Sequence, residues 1–440
     1  MYTGQEWTYE RVKMKFYSIS EIAEICKLSQ KTIRRQIAAG LLTGNRLGNQ
    51  WRIQEENFKK WLTNDVSCRS LKNSEMQFTL FGGPIIEQGR IQNCAMQDDI
   101  NWVDISRDWD KKNQAFVLNC IDLFAGAGGI SKGFEWAGFE GIAAVENEPT
   151  AVTTYEHNFK HPVISGDICK KEIKENLYDT IRKYKKEHHI NDVDVICGGF
   201  PCQGFSMSGY RIVDDSRNSL YREMLEIVNY IKPKFVMMEN VVGLRSMLNG
   251  KVEEKIIEDY DSIGYKINVT VLNSADYYAP QIRKRVIFIG NRIGKTNYHP
   301  KPLVEEKHYL TTKSAIEDLI NRPEDKEFSH VPTKHSKEMQ QRLLAVAEGS
   351  SLYKNYSDAW KKCPWNQPSC TIKENHGGVN IHPVLPRVLT AREMARLQSF
   401  PDDFLFKGSK KWQLVQIGNA VPPLLAKAVG LALRKSLTSE

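Results

Sequence analysis

Residues 116 to 138 read FVLNCIDLFAGAGGISKGFEWAG, and this stretch constrains the fold more than any other. FVLNCIDLF is a nearly continuous apolar strand, AGAGG (125–129) is a glycine loop, and ISKGFEWAG has the spacing of a helix. Strand, glycine loop and helix in that order open a doubly wound α/β sheet, where ligands bind outside the carboxyl ends of the parallel strands. The informative side chains are therefore those at later strand ends. Further apolar runs supply them: GIAAVE ends at Glu146, HPVISGDI carries Asp167, DVDVIC leads into GGFPCQGFS, KPKFVMMENV carries Glu239, and QIRKRVIFIG carries Arg283 and Arg285.

Gly126, Gly128 and Gly129 let backbone approach a ligand closely, and Asp122 can fix the loop. Position 131 is Ser131, so the loop departs from GxGxxG and a dinucleotide pyrophosphate is disfavoured. Glu146 stands close to the spacing at which an acid accepts hydrogen bonds from ribose hydroxyls, with Glu148 as a competitor, and Asp167 is placed to read an adenine amino group. A solvated loop charge is the alternative for each acid, but three successive strand ends around one nucleoside outweigh it. A nucleoside without phosphates needs no basic residue in this loop, and none is present.

The other half of the pattern is reactive. Cys202 projects from the ligand edge of the sheet after a stiffening Pro201. Glu239, a carboxyl at the end of a buried strand, can donate as well as accept a proton. Arg283 and Arg285 alternate along a strand, which predicts two guanidinium groups facing one cleft and able to bind a carbonyl or a phosphate.

The front of the chain is separate in character. Ser18-Ile-Ser-Glu21 is a serine cap with an acid three residues on, opening a first helix; Gln30 to Ala39 is a second, ended by Gly40. Lys31, Arg34 and Arg35 lie near the front of that second helix, where a recognition helix meets the major groove and phosphates. LGNQWRI (47–53) reads as a hairpin with a Gly-Asn turn and 55–62 as a closing helix, so this stretch is similar to excisionase and MerR-type winged helix-turn-helix domains. A basic protein-interaction module is the alternative. A polar linker with Gly-Gly-Pro at 82–84 follows, and within it QFTLF (Gln77 to Phe81) resembles a short sliding-clamp docking peptide, with docking on the main domain as the competing use.

Composition sets outer limits. The 440 residues, 41% hydrophobic and 26% charged, allow two to four domains; no apolar run approaches the roughly 18 residues of a membrane span. The amino terminus has no apolar signal core, so a cytoplasmic protein is expected, with no membrane partner. Nine cysteines are scattered without a CxxC pair or a zinc-like cluster, so reduced thiols and no metal site are expected. A net charge of +8 mildly favours a polyanionic partner.

DLFAGAGG, GGFPCQGFS, MMENV, QIRKR, RVLTAREMARLQSFPDDF and QIGNAVPP occur in this order between Phe116 and Leu433. Together they resemble the cytosine-5 DNA methyltransferases of bacterial restriction-modification systems. The resemblance implies a Rossmann-like methyltransferase sheet, a small mixed target-recognition domain, S-adenosylmethionine as cofactor, double-stranded DNA as partner, a monomer, and a cytosine flipped out of the duplex. Cys202 matches the nucleophile that adds at C6, Glu239 the acid at N3, and Arg285 the contact to O2 with Arg283 beside it. Phe124 matches the adenine-stacking ring; Glu146 the ribose contact; Asp167 and Ile168 the adenine edge. Pro201, Leu220, Asn419 and Ala420 match further cofactor contacts. Gln203 and Ser206 match the loop around the flipped base, Ser206 opening a polar stretch (206–219) expected to close over it. Asn147 departs from the family, standing where relatives carry an aromatic.

The implied layout is a winged helix-turn-helix at 1–63, a linker at 64–114, a catalytic domain at 115–291 and 387–440, and a target-recognition domain at 292–386. A tRNA cytosine methyltransferase, or a DNA-binding regulator built on a methyltransferase core, are the competing functions.

Overall fold

The computed structural model describes residues 16–25, 30, 33–34, 37, 42–43, 45–47, 50–54, 57–58, 117–201, 219–353, 360–373 and 379–439, and the chain divides into two units, Met1–Gly83 and Pro84–Glu440. In the front unit, Ser18 and Glu21 form the reciprocal cap that the sequence suggests. Ser18 Oγ accepts from the Glu21 N–H at 3.2 Å, and Glu21 Oε2 accepts from the Ser18 N–H at 2.7 Å. Helix α1 (Ile19–Ile25) follows. The hairpin is a three-stranded sheet: β2 (Asn45–Leu47) pairs with β3 (Gln50–Gln54), and β3 also pairs with β1 (Phe16–Tyr17), a strand that the sequence pattern is too short to reveal. Ile19, Ile22, Ile33, Leu42, Ile53 and Phe58 form a small core of its own. Arg34 is exposed on the second helix; Lys31, Arg35, the Gly48-Asn49 turn and the whole linker with Gln77 to Phe81 lie outside the described residues.

The large unit is built on a seven-stranded sheet. Its strands are β4 (Leu118–Leu123), β5 (Phe139–Glu146), β6 (Val163–Ser165), β7 (Val195–Gly198), β8 (Phe235–Val241), β9 (Lys266–Asn273) and β10 (Lys284–Asn291), in the order β6-β5-β4-β7-β8-β10-β9. The first five are parallel, and β10 runs antiparallel to both β8 and β9. That reversal matters for the site. The beginning of β10 lies at the same edge as the ends of the parallel strands, with Arg285 opposite Val241 and Ile287 opposite Glu239.

Two apolar layers cover the sheet, as its nearly continuous hydrophobic strands require. One is made by α2 (Gly129–Trp136) against α11 (Pro423–Thr438), the carboxyl-terminal helix. These two helices meet over glycines: a Cβ on Gly133 would stand 2.4 Å from Ala426 Cβ, and one on Gly430 would stand 2.7 Å from Ala137 Cβ. The opposite layer includes α4 (Lys171–His188) and α5 (Ser219–Ile231), whose apolar faces join Ile196, Met238 and Phe288.

The irregular region from 292 to 386 contains the short helices Thr312–Ile316 and Lys337–Ala345 and a few isolated bridges. Its core is shared: Ile316, Cys363, Ile372 and Val379 pack with Leu389, Met394, Phe400 and Ile417 from the segment that follows. The block RVLTAREMARLQSFPDDF folds as helix α9 (Ala391–Leu397) behind a Thr390–Glu393 capping box. Two of its arginines are buried ties: Arg392 donates to Phe328 O, Pro401 O and Phe404 O, and Arg396 is bidentate to Asp402.

Candidate active site

A cavity of ≈780 Å³ opens at the carboxyl edge of the parallel strands. Phe124 and Gly126 line it after β4, Glu146 at the end of β5, Asp167 and Ile168 after β6, and Pro201 after β7. Leu220, Glu239, Arg283, Arg285, Gly129, Asn419 and Ala420 line it as well. Residues scattered over about three hundred positions thus converge, most of them because they follow a parallel strand or stand at the start of β10, and Asn419 and Ala420 because the end of the chain packs beside the first loop.

The glycine loop separates into parts. Phe124 adopts a left-handed φ of 58°, and Gly126, at 55°, has open space where a Cβ would point. Gly128 corrects the sequence reading. It lies outside the cavity lining, and a Cβ there would stand 2.3 Å from the Phe159 ring, so this glycine serves helix packing. Gly129 borders the cavity and packs closely as well, its Cβ position being 2.2 Å from Val421 O. This approach explains how Asn419 and Ala420, near the end of the chain, reach the first loop.

Glu146 and Glu148 both line the cavity but have different partners. Glu148 caps α3 (Pro149–Asn158), accepting from the Thr150 N–H and hydroxyl. Glu146 faces the loop, with Oε2 accepting from the Gly126 N–H at 2.7 Å and Oε1 from the Glu148 N–H at 2.8 Å. Asp167 Oδ1 accepts from the Cys169 N–H, an Asx turn that fixes the carboxylate.

Behind the loop, Asp122 Oδ2 accepts from the Ser131 N–H and from its hydroxyl, at 3.2 and 2.6 Å. Ser131 Oγ in turn lies 2.6 Å from Tyr155 Oη, which lies 2.7 Å from His161 Nε2. Burial pushes the Asp122 carboxyl up to about 7; the Ser131 hydrogen bonds oppose this and the charge of Glu146 adds to it. Asp122 Oδ1 has no hydrogen-bond partner.

At the reactive end, Glu239 Oε1 and Arg285 Nε are 2.8 Å apart, with both side chains mostly buried. Asn240 donates to Phe200 O at 2.9 Å and so holds the loop that leads to Pro201. Arg283 lines the same cavity as Arg285 but is held differently. It precedes β10, is fully buried, and donates from both terminal nitrogens to Ile372 O, Gly418 O and Ala420 O at 2.8 to 3.1 Å, its Nε having no partner among the described residues. These bonds to the backbone brace the site. Cys202, Gln203 and Ser206, with the loop up to 218, lie outside the described residues.

The cavity also has walls that sequence reasoning missed: Thr371, Lys373 and Gln416. Thr371 and Lys373 come from the PSCTIKENHGG segment, which folds back along the QIRKR stretch. Ile282 N–H donates to Ser369 O, Thr371 Oγ1 to Ile282 O, and Ile372 N–H to Gln281 Oε1. Gln281 also donates to Leu397 O and Gln398, and Gln398 to Ile417 O, tying three segments into one rim. Among the described residues no cluster of His, Cys, Asp or Glu is arranged to hold a metal ion.

A sheet of this order, with a cavity at its carboxyl edge, defines an α/β methyltransferase fold. Solved structures agree: a prophage-encoded DNA modification methyltransferase from Escherichia coli is 29% identical, with a TM-score of 0.58 over 73% of this chain and 100% of that one. The Entamoeba histolytica methyltransferase EhMeth shares the fold at 16% identity, with a TM-score of 0.52 over 74% of this chain. Residues 118–435 match the family model of the C-5 cytosine-specific DNA methylases, and residues 16–65 match a helix-turn-helix domain model. Among curated relatives, the type II methyltransferase M1.HphI of Haemophilus parahaemolyticus is 39% identical over 341 residues, covering 73% of this chain and 88% of that protein. M.DdeI of Desulfomicrobium norvegicum is 35% identical, covering 71% and 87%. The chain belongs to the C-5 cytosine-specific DNA methylase family, as an enzyme of the restriction-modification type whose substrate is DNA. The tRNA alternative yields to this assignment.

Proposed function

We propose that the enzyme methylates C5 of a flipped cytosine within a short specific duplex sequence, with S-adenosylmethionine as donor, and protects that sequence from a cognate endonuclease. The observation that carries this is the continuity of one cavity from the Gly126–Glu146 end to the Glu239–Arg285 pair. The residues present fit the donor. Gly126 leaves open space at its missing Cβ, and Glu146 retains lone pairs for two hydroxyls. When bound, the donor supplies an electrophilic methyl group.

The chain's own residues would prepare the acceptor. Cytosine C5 is a weak nucleophile until a thiolate adds at C6, the role assigned to Cys202. Glu239 would hold or deliver a proton at N3 as the ring becomes enamine-like, and Arg285 would bind O2 while fixing the Glu239 carboxyl. Phe124, Asp167, Ile168, Leu220, Pro201 and Asn419 would orient the nucleoside end, and Arg283 would hold the rim. Gln203 and Ser206 would close around the base, and residues 292–386 would read the target, with 1–63 and 64–114 as separate DNA-binding and linker segments. Lys31, Arg34 and Arg35 would add contacts to duplex DNA or to an operator. A monomer in the cytoplasm, with a weak clamp contact at Gln77 to Phe81, completes the reading.

Methyl transfer from labelled S-adenosylmethionine to varied duplex DNAs tests it, with bisulfite sequencing to locate the product. Cys202→Ser is expected to abolish transfer while retaining DNA binding. Unchanged turnover in that variant would remove the assignment.

A further inference from the structure

Two thiols outside the cavity stand in contact. Cys363 Sγ and Cys370 Sγ are 3.7 Å apart, Cys363 fully buried and Cys370 partly accessible. Each belongs to a different tie. The Cys363 N–H donates to Ile381 O, and its side chain sits in the core shared with Leu389 and Met394. Cys370 lies between Ser369, which pairs with the Pro280–Ile282 stretch, and Thr371–Ile372, which hydrogen-bond to Ile282, Gln281 and Arg283. Asn380 Nδ2 donates to Cys370 Sγ at 3.1 Å.

We infer that Cys363 and Cys370 form a dithiol site for thiol–disulfide exchange with low-molecular-weight disulfides, and that closing it weakens the hold on duplex DNA. The chemistry divides unevenly between the two sulfurs. The hydrogen bond with Cys363 holds the Cys370 thiol below its ordinary range; burial opposes this, and Lys361 and Asn380 assist. The same bond, with burial, pushes Cys363 up. Cys370 is therefore the attacking thiolate. It releases its proton to solvent and displaces one thiolate from a disulfide RSSR, forming a mixed disulfide. Cys363 then loses its proton and attacks Cys370 Sγ, expelling the second thiolate. The balance is two protein thiols and RSSR going to one protein disulfide and two RSH.

Closing the bond moves the sulfurs from contact to about 2.05 Å. Close-packed interiors transmit such a shift. Cys363 is fully buried in the core and Cys370 stands partly accessible at its edge, so the movement falls on Cys370 and the adjoining Thr371 and Lys373, which line the cavity.

The test uses full-length protein carrying Cys202→Ser, so that the thiol assigned to catalysis takes no part. After incubation with oxidised glutathione and alkylation, peptide mapping is expected to find a Cys363–Cys370 disulfide. Cys363→Ser should trap glutathione on Cys370, and Cys370→Ser should form no crosslink. Affinity for duplex DNA should fall on oxidation, and dithiothreitol should restore it to the value of the untreated protein. Cys370→Ser should keep its affinity under the same oxidant. Alkylation of both thiols after oxidant treatment, or a crosslink that leaves DNA affinity unchanged, would overturn the proposal.

Discussion

Arg283 and Arg285 stand two positions apart and do different things. Arg283 donates to three carbonyls; Arg283→Ala leaves Ile372 O and Gly418 O without that donor, while Ala420 O keeps Gln398, and should cost about 2 to 4 kcal/mol of stability, visible as a lower Tm. Arg285 touches Glu239 in the cavity, so Arg285→Ala leaves a mostly buried carboxylate unpaired and lowers Tm too, but should in addition reduce kcat/KM by about 10² to 10³ at a temperature where the variant is folded. Unchanged kcat/KM in Arg285→Ala would mean that it is a brace like Arg283. Asp122 makes a second residue-scale prediction, with a sign fixed by its raised carboxyl. Below about pH 4 the carboxyl is protonated both folded and unfolded. Between there and about 7 the unfolded chain gives up the proton and the native chain keeps it, so stability falls as pH rises through this window and levels off above it. The loss is on the order of 4 kcal/mol, and Asp122→Asn should flatten that slope in denaturant titrations from pH 4 to 8. An unchanged slope would mean that Asp122 has its ordinary pKa in the folded state.

At the scale of elements, the strands β4 to β8 and β10 were legible because each is a short apolar run, and the side chains at the ends of the parallel runs then had to share one edge of the sheet. The half-exposed edge strand β9 lacks such a run and was not legible. The capping boxes at Ser18–Glu21 and Thr390–Glu393 are equally local. What local pattern could not supply was long-range register. Thr371 and Lys373 line the cavity because the stretch from Ser369 pairs with residues 280–282, and Ile372 reaches Gln281 across 91 positions. Nor does spacing say which way a loop glycine faces. Gly126 and Gly128 both have positive φ, yet one borders open space and the other the Phe159 ring. The α2–α11 contact carries an element-scale prediction. Gly133→Ala would place a methyl 2.5 Å from Pro423 O and 2.4 Å from Ala426 Cβ, backbone and side chain that cannot both yield. Overpacking of this kind costs about 1 to 3 kcal/mol. Asn419 ends the helix just before α11 and lines the cavity, so donor KM should rise along with the fall in Tm; a Tm loss with unchanged donor KM would separate helix packing from the cavity.

The whole molecule combines a catalytic unit with a small front unit that has its own apolar core. The front core, with Ile22, Ile33 and Ile53 fully buried, is what keeps Arg34 displayed on a formed helix. A second DNA-binding surface on one chain raises affinity through effective concentration, without altering the chemical step. A phosphate contact weakens binding nearly uniformly across sequences when removed, and lowers the salt slope by about one. Arg34→Ala should therefore reduce affinity for duplex DNA on cognate and unrelated sequences alike, lower the dependence of log K on log salt by about one, and leave single-turnover methyl transfer at saturating DNA unchanged. Titrations at several salt concentrations, beside a single-turnover assay, measure these separately. A parental salt slope in Arg34→Ala would assign the front unit to a protein partner. A slower single-turnover rate at saturating DNA would mean that the front unit acts on the catalytic step itself.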